Sequence, residues 1–469
     1  MTLLWTLVRK ELLQGMLTFR FTAALLVMVP LWAFSLWVFA HDYQERVARS
    51  ERSRQVQKQE WKRIAHPHMA RYFGMNYTVS PRPLSIFARG MEEEMTGTWR
   101  FAGETTPMPY RGVTRVGTGP FYENPARAFF PAPDPQTIIR LVGSLLALLF
   151  TYDALTRERE QGTLALCGVQ PVPRDVLLLG KVVGAWCLLV LACLVAGIGA
   201  LAVVLPVTGM GFTGEEWLRL GMLTGISGLY LLAFCGIGLA LSAWCRETGA
   251  ALLSALSVWV LLVLFGAGLA RVVGEQVRPA ISSARMEVHK TRMAVGEHER
   301  IRKENPIRFN DQNWGEQSRK MVQTRNEVRD RAEGELQRTF ARLDRDYQLD
   351  LDRQEGLVRH LARWSPANHF LHLIQGLSGT GGKEVQRFRQ TLSAHQGRMD
   401  AYWREKARAL GWEGLGGDWE DAPLLVLPAW SWGQWLMDGV VDLTLLVSWS
   451  VVAFVAAFWG FRRMPLIPG

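Results

Sequence analysis

Long apolar segments without Asp, Glu, Lys or Arg constrain the fold of this chain more than any other feature. Five such segments cover residues 21–40, 182–205, 221–244, 248–270 and 443–461. Each is long enough to cross roughly 30 Å of hydrocarbon as an α-helix. A shorter sixth segment, 138–152, contains Arg140, whose long side chain can reach the polar interface. The sequence therefore predicts an α-helical polytopic membrane protein with six transmembrane helices.

Basic residues in the short flanking segments predict the orientation of these helices. They lie before the first helix, between the second and third, between the fourth and fifth, and after the sixth, as Arg9, Lys10, Arg20, Arg157, Arg159, Arg174, Lys181, Arg246, Arg462 and Arg463. The connection 206–217 has no Lys or Arg. Because basic loops are retained in the cytoplasm, both termini are predicted to be cytoplasmic in a bacterial inner membrane. The long segments 41–136 and 272–436 are then extracytoplasmic.

Residues 1–16 predict an N-terminal amphipathic helix ahead of the first span. Leu4, Val8, Leu12 and Leu13 share one helical face. Such a helix lies in the inner membrane interface. The alternative interpretation is the ordinary start of one long first helix.

The extracytoplasmic segments predict a large mixed domain. Residues 43–64 have the pattern of a charged helix, and 66–134 are rich in Pro, Gly and Thr, which predicts a small strand-and-loop lobe. Residues 281–302 and 316–363 are densely charged with a sparse apolar stripe, which predicts a long antiparallel helical hairpin. Ser365-Pro366 then predicts the start of a further helix.

Two more features complete the predicted organisation. Trp430, Trp432 and Trp435 are typical of a belt at the membrane interface. A second helix of the returning chain is predicted over 384–410. The predicted divisions are 1–40 (amphipathic helix and first span), 41–136 (extracytoplasmic lobe), 137–271 (spans two to five, with a cytoplasmic loop at 154–180), 272–436 (hairpin domain) and 437–469 (last span and tail).

Charge and cysteine content narrow the classes of function. The net charge is +10, but no basic helix is combined with a base-reading motif. We therefore interpret the positive charge as belonging to a solvated surface near an acidic membrane. The expected partner of this surface is membrane lipid and not nucleic acid. All five cysteines fall in spans or in the predicted cytoplasmic connections, so disulfides cannot stabilise the extracytoplasmic segments.

The loop between the second and third spans carries the most specific pattern. Alternating Arg and Glu follow the second span, Gly162 and Thr163 predict a turn and a helix cap, and Pro171 ends a short helix over 163–169. A short helix exposed to the cytoplasm offers a surface to which a soluble motor domain can bind. The alternative is a charged, solvated connection retained by its basic residues.

The residues of this region resemble a known family. Tyr152-Asp153-Ala154-Leu155, Glu158-Arg159-Glu160-x-Gly162-Thr163-Leu164, Gln170-Pro171-Val172-x-Arg174 and Leu177-Leu178-Leu179-Gly180-Lys181 resemble the signature of the type-two ABC permease family. Outside the membrane, Pro83–Phe87 with Gly90, and Ser365-Pro366 with Leu377-x-Gly379-Thr380, are similar to a subfamily with enlarged extracytoplasmic segments related to gliding-motility permeases.

The resemblance implies a coupling role for the loop. In that family the element after the second span docks on the ATP-binding subunit. The resemblance therefore assigns ATPase coupling to Asp153, Glu158, Arg159, Glu160, Gly162, Thr163, Leu164, Pro171, Arg174 and Lys181. It also implies two copies of an ATP-binding subunit and a second permease chain, either identical or related, as partners.

The chain itself lacks a nucleotide-binding loop. No G-x-x-x-x-G-K-[ST] sequence occurs, and the nearest imitation, residues 379–384, lacks the first glycine and the hydroxyl residue. The chain is therefore predicted to be non-catalytic and to bind no cofactor, with ATP and Mg used by the partner.

Three functions remain open. The favoured one is an exporter subunit for an amphiphilic, lipid, peptide or polymer cargo, because the spans carry no charge near the middle of the membrane. The alternative is an ATP-driven mechanotransmitting scaffold that recruits or gates an extracytoplasmic partner protein without moving cargo. The weaker alternative is metal-site maturation, with His66, His68, His369 and His372 as candidate ligands. Surface or packing roles are the other interpretation of these histidines.

Small residues in the third and fourth spans permit close helix approach. They are Gly221-x-x-x-Gly225 and the cluster 196–200. Packing within the chain is the default interpretation, and a face between two permease chains is the alternative.

Overall fold

The computed structural model of the protein describes residues 2–63, 74–102, 113–116, 133–163, 173–279, 282–304, 316–410 and 421–463. The N-terminal half contains α1 (Thr2–Met16), α2 (Phe19–Arg63), β1 (Met75–Val79), β2 (Gly97–Phe101), β3 (Val113–Val116), α3 (Pro135–Ile138, a π-helical Ile139–Gly143, and Ser144–Thr151), α4 (Thr156–Glu160) and α5 (Arg174–Thr208). The C-terminal half contains α6 (Gly214–Trp244), α7 (Thr248–Trp259 and a π-helical Val260–Phe265), α8 (Gly266–Val277), α9 (Ser283–Glu304), α10 (Glu316–Ala362), α11 (Pro366–Ser378), α12 (Gly382–Leu410) and α13 (Trp432–Arg463).

Six helical segments of the described chain are long and apolar enough to span a membrane, which confirms the predicted fold class. They are Phe19–Lys62, Pro135–Glu160, Arg174–Thr208, Gly214–Trp244, Thr248–Phe265 and Trp432–Arg463. The first is part of a 45-residue helix of about 67 Å that continues past the apolar segment into charged sequence. The predicted charged helix over 43–64 is therefore the C-terminal half of α2, which ends at Arg63.

The six helices define two ends of one bundle. The end that carries α4 is called the loop end, and the end that carries the sheet is called the lobe end. Gly209 has φ +64 and ends α5 at the lobe end, where Thr213 and Glu216 then form a capping box at the start of α6. Asp134 caps α3 by accepting a hydrogen bond from the Thr137 backbone N–H at 2.8 Å.

The N-terminal helix α1 is separate from α2 and packs along α5. Leu7 lies against Gly180, Glu11 against Gly184, and Gly15 against Leu188, so contacts recur every four residues. Val8 is buried on this side. Of the predicted apolar face, Val8 thus packs within the protein and Leu13 is exposed, as is Trp5.

Gly238 allows the close approach of α6 and α3. A Cβ at this position would collide with the side chain of Thr151, which is buried in α3. We expect Gly238→Leu to lower the folded yield by forcing the two spans apart, at a cost of about 1–3 kcal/mol in the free energy of unfolding. Size-exclusion chromatography in detergent measures this loss. Gly249→Leu, at an exposed site of α7 with no atom within 4 Å, is the matched control and should behave as the unmodified protein.

The strand-and-loop lobe contains a three-stranded antiparallel sheet in the order β1-β2-β3. Met75 pairs with Phe101, and Phe101 pairs with Val113. One face of the sheet packs on α12 in a core that includes Tyr77, Phe388 and Trp403. Because α12 belongs to the second long segment, the two predicted extracytoplasmic segments share this core.

His395 is a buried titratable group in the lobe core. Its ring lies edge-on to Tyr77 and Phe101, with centroid distances of 4.8 and 4.7 Å, and its side chain is fully buried. Burial, and secondarily the positive charge of Arg398, lower the pKa of His395 to about 4. His395 is therefore neutral in the folded lobe at neutral pH.

The stability of the lobe should consequently depend on pH. Below about pH 6.5 the unfolded chain protonates His395 and the folded chain does not, so stability falls as the pH drops from about 6.5 towards 4, by up to about 3 kcal/mol. Thermal unfolding of the full chain across this window tests the expectation. His395→Phe keeps the aromatic packing and removes the titration, so the stability of the variant relative to the unmodified protein should rise as the pH falls from about 6.5 towards 4. An unchanged difference would contradict it.

The predicted hairpin is confirmed by contacts between α8, α9 and α10. Lys290 of α9 forms an ion pair with Asp344 of α10. Gln354 donates to the Arg278 carbonyl at 2.7 Å, and Gly274 lies against Val358. Residue numbers on one side rise as those on the other fall, so α10 runs antiparallel to α8 and α9. The predicted break at Pro306 lies outside the described residues.

Helix α11 is a short, largely buried helix at the lobe end. Ser365 caps it as predicted, by accepting from the Ala367 N–H at 3.2 Å. Two of the tryptophans predicted to lie at the membrane interface, Trp430 and Trp435, donate to carbonyls of α11, to Gly376 at 2.9 Å and Leu373 at 3.3 Å. These indoles pack on protein, and Trp435 is only 6% exposed.

Candidate functional site

The predicted coupling residues that the structure describes lie together at the loop end of the bundle. Asp153 lies at the end of the second span, and α4 contains Glu158, Arg159 and Glu160. The helix α4 has five residues and could not be stable alone, since isolated short helices are marginal in water. Its contacts with neighbouring spans hold it in place.

Asp153 pairs with Arg20 at the start of the first span. The two Arg20 amino groups donate to the two carboxylate oxygens at 2.8 and 2.6 Å, a bidentate geometry. The Asp153 side chain is 7% exposed and that of Arg20 is 38% exposed. A largely buried carboxylate requires such a partner, so this pair fixes the second span to the first.

Ser242 of the fourth span binds the beginning of α4. Its Oγ accepts from the backbone N–H groups of Leu155 and Thr156 at 3.0 and 3.2 Å. The first N–H groups of a helix have no partner within the helix, and no side chain of α4 itself caps it. A residue 86 positions away supplies the cap.

Glu158 faces the third span. Its carboxylate lies 2.6 Å from the Lys181 ammonium, and Glu11 of α1 lies 3.6 Å from the same group. The Lys181 side chain is 9% exposed, so the pairing satisfies a nearly buried cation. This contact links α4, the third span and the N-terminal helix.

Arg159 and Glu160 bind the fourth and fifth spans. Arg159 donates to the Cys245 carbonyl at 3.0 Å, just beyond the end of α6. Glu160 accepts from the Thr248 N–H at 2.7 Å, at the start of α7. A carboxylate at a helix N-terminus also interacts favourably with the helix dipole.

The turn after α4 contains two more of the predicted residues. Gly162 has φ +70 and no atom within 4 Å of a Cβ position, so it forms an open left-handed turn. Thr163 is exposed and donates to the Glu158 carbonyl at 3.2 Å. Leu164, Pro171 and the rest of the predicted helix over 163–169 lie outside the described residues. Arg174 approaches the carbonyl of Arg462, after the sixth span, at 3.5 Å.

Three residues of this site were missed by sequence reasoning. Arg20 was used only as a charge that sets orientation, and Glu11 was given no role. Ser242 is one of several serines within apolar spans, and nothing in the local sequence distinguishes it. The available signal for the first pair was a charged residue of each sign at the same end of two successive spans, Arg20 at the start of the first and Asp153 at the end of the second.

A second polar network lies at the lobe end, around α11. Arg219 of the fourth span is 8% exposed and donates to the Leu377 carbonyl at the end of α11, with Nε at 2.8 Å. Its guanidinium also lies 4.0 Å from the centre of the Trp430 ring. Ser365, at the other end of α11, donates to the Leu262 carbonyl of the fifth span.

The candidate metal ligands belong partly to this network. His369 is fully buried, with Nδ1 2.8 Å from Asp442 of the sixth span and Nε2 2.9 Å from the Arg363 carbonyl. Both ring nitrogens are thus engaged by protein. His372 lies 3.6 Å from the same aspartate. His66 and His68 lie outside the described residues, and within the described part of the chain no cluster of His, Cys, Asp or Glu has the arrangement of a metal site.

These features define a class of protein: a multi-pass α-helical membrane subunit with a short polar element anchored to its spans at one end. The chain belongs to the ABC-2 family of transporter proteins, whose family profile matches residues 5–466. The chain is similar to proteins named probable ABC transporter permease protein NosY. The one from Stutzerimonas stutzeri is 38% identical over 128 residues, 26% of this chain and 44% of the relative. The one from Pseudomonas aeruginosa is 38% identical over 124 residues, with the same coverage.

The match to these curated relatives spans less than half of their length, and the family match spans nearly the whole chain. The chain is thus a multi-pass membrane protein of the ABC-2 transporter family. Permease subunits of ABC transporters are generally the non-catalytic component.

Proposed function

We propose that this chain is the permease subunit of a bacterial ABC exporter and that a separate ATPase acts on it through the segment 154–180. The observation that carries the proposal is the anchoring of residues 153–160. Within eight residues, side chains and backbone groups of this stretch bind the first, third, fourth and fifth spans. A displacement of this element would move four spans at once.

The basic flanks support a cytoplasmic position for the loop end. Arg20, Arg157, Lys181, Arg246 and Arg462 all lie at this end of the bundle. The positive-inside rule then places the loop and both described termini in the cytoplasm. The exposed turn at Gly162 and Thr163 would face the ATP-binding subunits, which bind ATP and Mg, two copies for each pair of permease chains.

The cargo proposed is an amphiphile, lipid, peptide or polymer. The ionisable residues of the spans lie near their ends or are paired, as Asp153 is with Arg20 and Asp442 with His369. A carrier driven by protons or ions would need ionisable groups near the middle of the membrane. ATP hydrolysis by the partner is the proposed energy source.

Two substitutions in the loop test the coupling. Gly162→Pro is incompatible with the positive φ of the turn, and Glu160→Lys places a cation at the start of α7 against the helix dipole. Each should lower the ATP-driven activity of the reconstituted complex at least about tenfold without loss of membrane insertion. Arg157→Ala, whose side chain is 60% exposed, is the matched control and should stay within about twofold. Full activity in both loop variants would refute the assignment.

A second candidate function is mechanical signalling to an extracytoplasmic partner without cargo movement. The observation that favours it is the position of α11, which binds the fourth, fifth and sixth spans through Arg219, Ser365 and His369. The residues after α11 also bind the lobe, since Thr380 donates to the Ala88 carbonyl at 2.9 Å. Transport assays in proteoliposomes separate the two functions: cargo movement supports export, and an ATP-dependent change in the lobe without cargo movement supports signalling.

A further inference from the structure

A segment at the lobe end, residues 82–94, is bound to α2 through Glu92. The Glu92 side chain is fully buried, and its carboxylate forms an ion pair with Arg46 of α2. The same carboxylate accepts from the backbone N–H of Arg82 at 2.7 Å. A buried carboxylate requires such partners, because burial removes its hydration. Glu92 therefore joins segment 82–94 to the part of α2 that continues beyond its apolar half.

Asp42 and Arg89 extend this ionic network. Asp42 Oδ2 lies 2.9 Å from Nε of Arg46, one turn further along α2, and 3.6 Å from Arg89 of segment 82–94. The side chains of Arg46 and Asp42 are only 12% and 10% exposed. Buried ion pairs add little net stability compared with apolar packing, but their directional contacts specify a relative position. A shift of the segment along α2 would break at least one of these pairs.

Segment 82–94 also binds the junction between α11 and α12, residues 379–381. Thr380 of this junction is fully buried. Its hydroxyl donates to the Ala88 carbonyl at 2.9 Å, and its own carbonyl accepts from the Met91 N–H at 2.8 Å. Both elements of the junction, donor and acceptor, are thus satisfied by the same segment that Glu92 holds on α2.

Arg82 and Gly90 complete the contact with the junction. The Arg82 side chain donates to the Gly379 carbonyl, while its backbone N–H binds Glu92. Gly90 has φ +49, and a Cβ there would lie 2.6 Å from the Thr380 carbonyl oxygen. Only glycine fits such an approach at this φ. The junction is therefore held against the segment by side chains and by close backbone packing.

Helix α2 connects this network to the loop end of the bundle. Arg20, near the start of α2, binds Asp153 through two hydrogen bonds. Arg46 lies on the same helix, about 39 Å further along at about 1.5 Å per residue. Pro30 lies inside α2 but does not end it. A displacement of α2 at Asp153 would therefore also move segment 82–94.

We propose that Glu92 positions the junction of α11 and α12 on α2, so that movement of the loop end reaches the lobe through α2. This route is separate from the contacts of α11 with the fourth, fifth and sixth spans. The source of the movement rests on the proposed coupling of residues 153–160 to an ATPase. The positioning itself does not, and it can be measured without nucleotide.

Hydrogen exchange of the intact complex in lipid nanodiscs, without nucleotide, tests the positioning. Glu92→Gln removes the charge that pairs with Arg46, and Arg82→Met removes the side-chain donor to Gly379 but keeps the backbone N–H that binds Glu92. We expect each variant to raise exchange in peptides that contain Met91, whose N–H donates to the junction, about tenfold. Exchange within α11 should stay within about twofold.

Two further variants separate the charge pair from general damage. Arg46→Met should reproduce the effect of Glu92→Gln, and Arg46→Lys, which keeps the charge, should restore most of the protection. Arg52→Met removes an equal charge from an exposed position of α2 and should change neither exchange nor activity. Thermal unfolding shows that each complex remains folded.

Spin labels carried by unnatural amino acids at positions 211 and 382 test the transmission. Gly211 lies in the connection between the third and fourth spans and Gly382 begins α12, and both are exposed. We expect the distance between the labels to change when ATP and vanadate trap the unmodified complex. Glu92→Gln and Arg82→Met should each reduce this change at least about twofold while hydrolysis stays within about twofold.

The possible contradictions can be told apart. Unchanged exchange at Met91 in Glu92→Gln and Arg82→Met would overturn the positioning and leave the proposed function standing. Raised exchange with an undiminished distance change would overturn transmission through α2. A distance between the labels that nucleotide does not alter in the unmodified complex would refute both this inference and the proposed function.

Discussion

Replacing Asp153 by alanine is expected to lower the ATP-driven activity of the complex at least about tenfold. The substitution leaves the Arg20 guanidinium without the carboxylate that it binds through two hydrogen bonds. Removing one partner of a buried pair costs about 3–5 kcal/mol, and the partial exposure of Arg20 reduces this to about 2 kcal/mol. The first and second spans would then no longer move together when the loop is displaced. Activity is measured as ATP hydrolysis and cargo movement in proteoliposomes.

A double-substitution cycle separates loss of the pair from general damage. Arg20→Ala should reproduce most of the defect, and the double variant should be no worse than either single one, because the same interaction is removed. Arg157 is the control position, since its side chain is 60% exposed and approaches Asp153 only to 4.0 Å. Additive defects of Arg20→Ala and Asp153→Ala would contradict a joint role.

Replacing Arg219 by methionine is expected to leave ATP hydrolysis by the partner intact but to weaken the movement that hydrolysis causes at the lobe end. Methionine keeps an unbranched apolar stem but removes the N–H groups that bind the Leu377 carbonyl and the cation that lies on Trp430. An unsatisfied buried carbonyl costs about 1–3 kcal/mol, which loosens α11 from the fourth span. We expect hydrolysis by the partner ATPase to stay within about twofold while cargo movement, or the response of the lobe, falls about tenfold.

An exposed arginine near the same end provides the control. Arg271→Met removes an equal charge from α8 at an exposed position and should change neither readout. Thermal unfolding of both variants shows whether the complex remains folded. Equal loss of hydrolysis and movement in Arg219→Met would contradict a role confined to the lobe end.

The six spans could be predicted from sequence because hydropathy is a local property of a continuous stretch. The helix start at Ser365 was predictable for the same reason, since a cap and the N–H that it accepts from are two residues apart. The hairpin could be predicted from the regular stripe that includes Phe340, which is buried.

The partners of the polar residues could not be predicted, because they depend on contacts between distant parts of the chain. Arg20 and Asp153 are 133 positions apart, and Ser242 caps a helix 86 positions earlier. Helix α11 has the composition of a partly polar surface helix, yet it is largely buried. Its polar side chains have partners there: His369 is hydrogen-bonded to Asp442, and Asn368 donates to the Ala362 carbonyl. The hydrogen bonds of Trp430 and Trp435 to carbonyls of α11 could not be predicted for the same reason.

The measurement that tests the central claim most directly is photo-cross-linking from position 163 in membrane vesicles. Thr163 is exposed beside the open turn at Gly162, and a photoreactive amino acid there should cross-link to the ATP-binding subunit. The same amino acid at Thr213, exposed at the opposite end of the bundle, should give no such product. Cross-linking to the ATPase from position 163 alone is the predicted result. A product from position 213 but not 163, or a position 163 accessible only from outside the cell, would contradict the account.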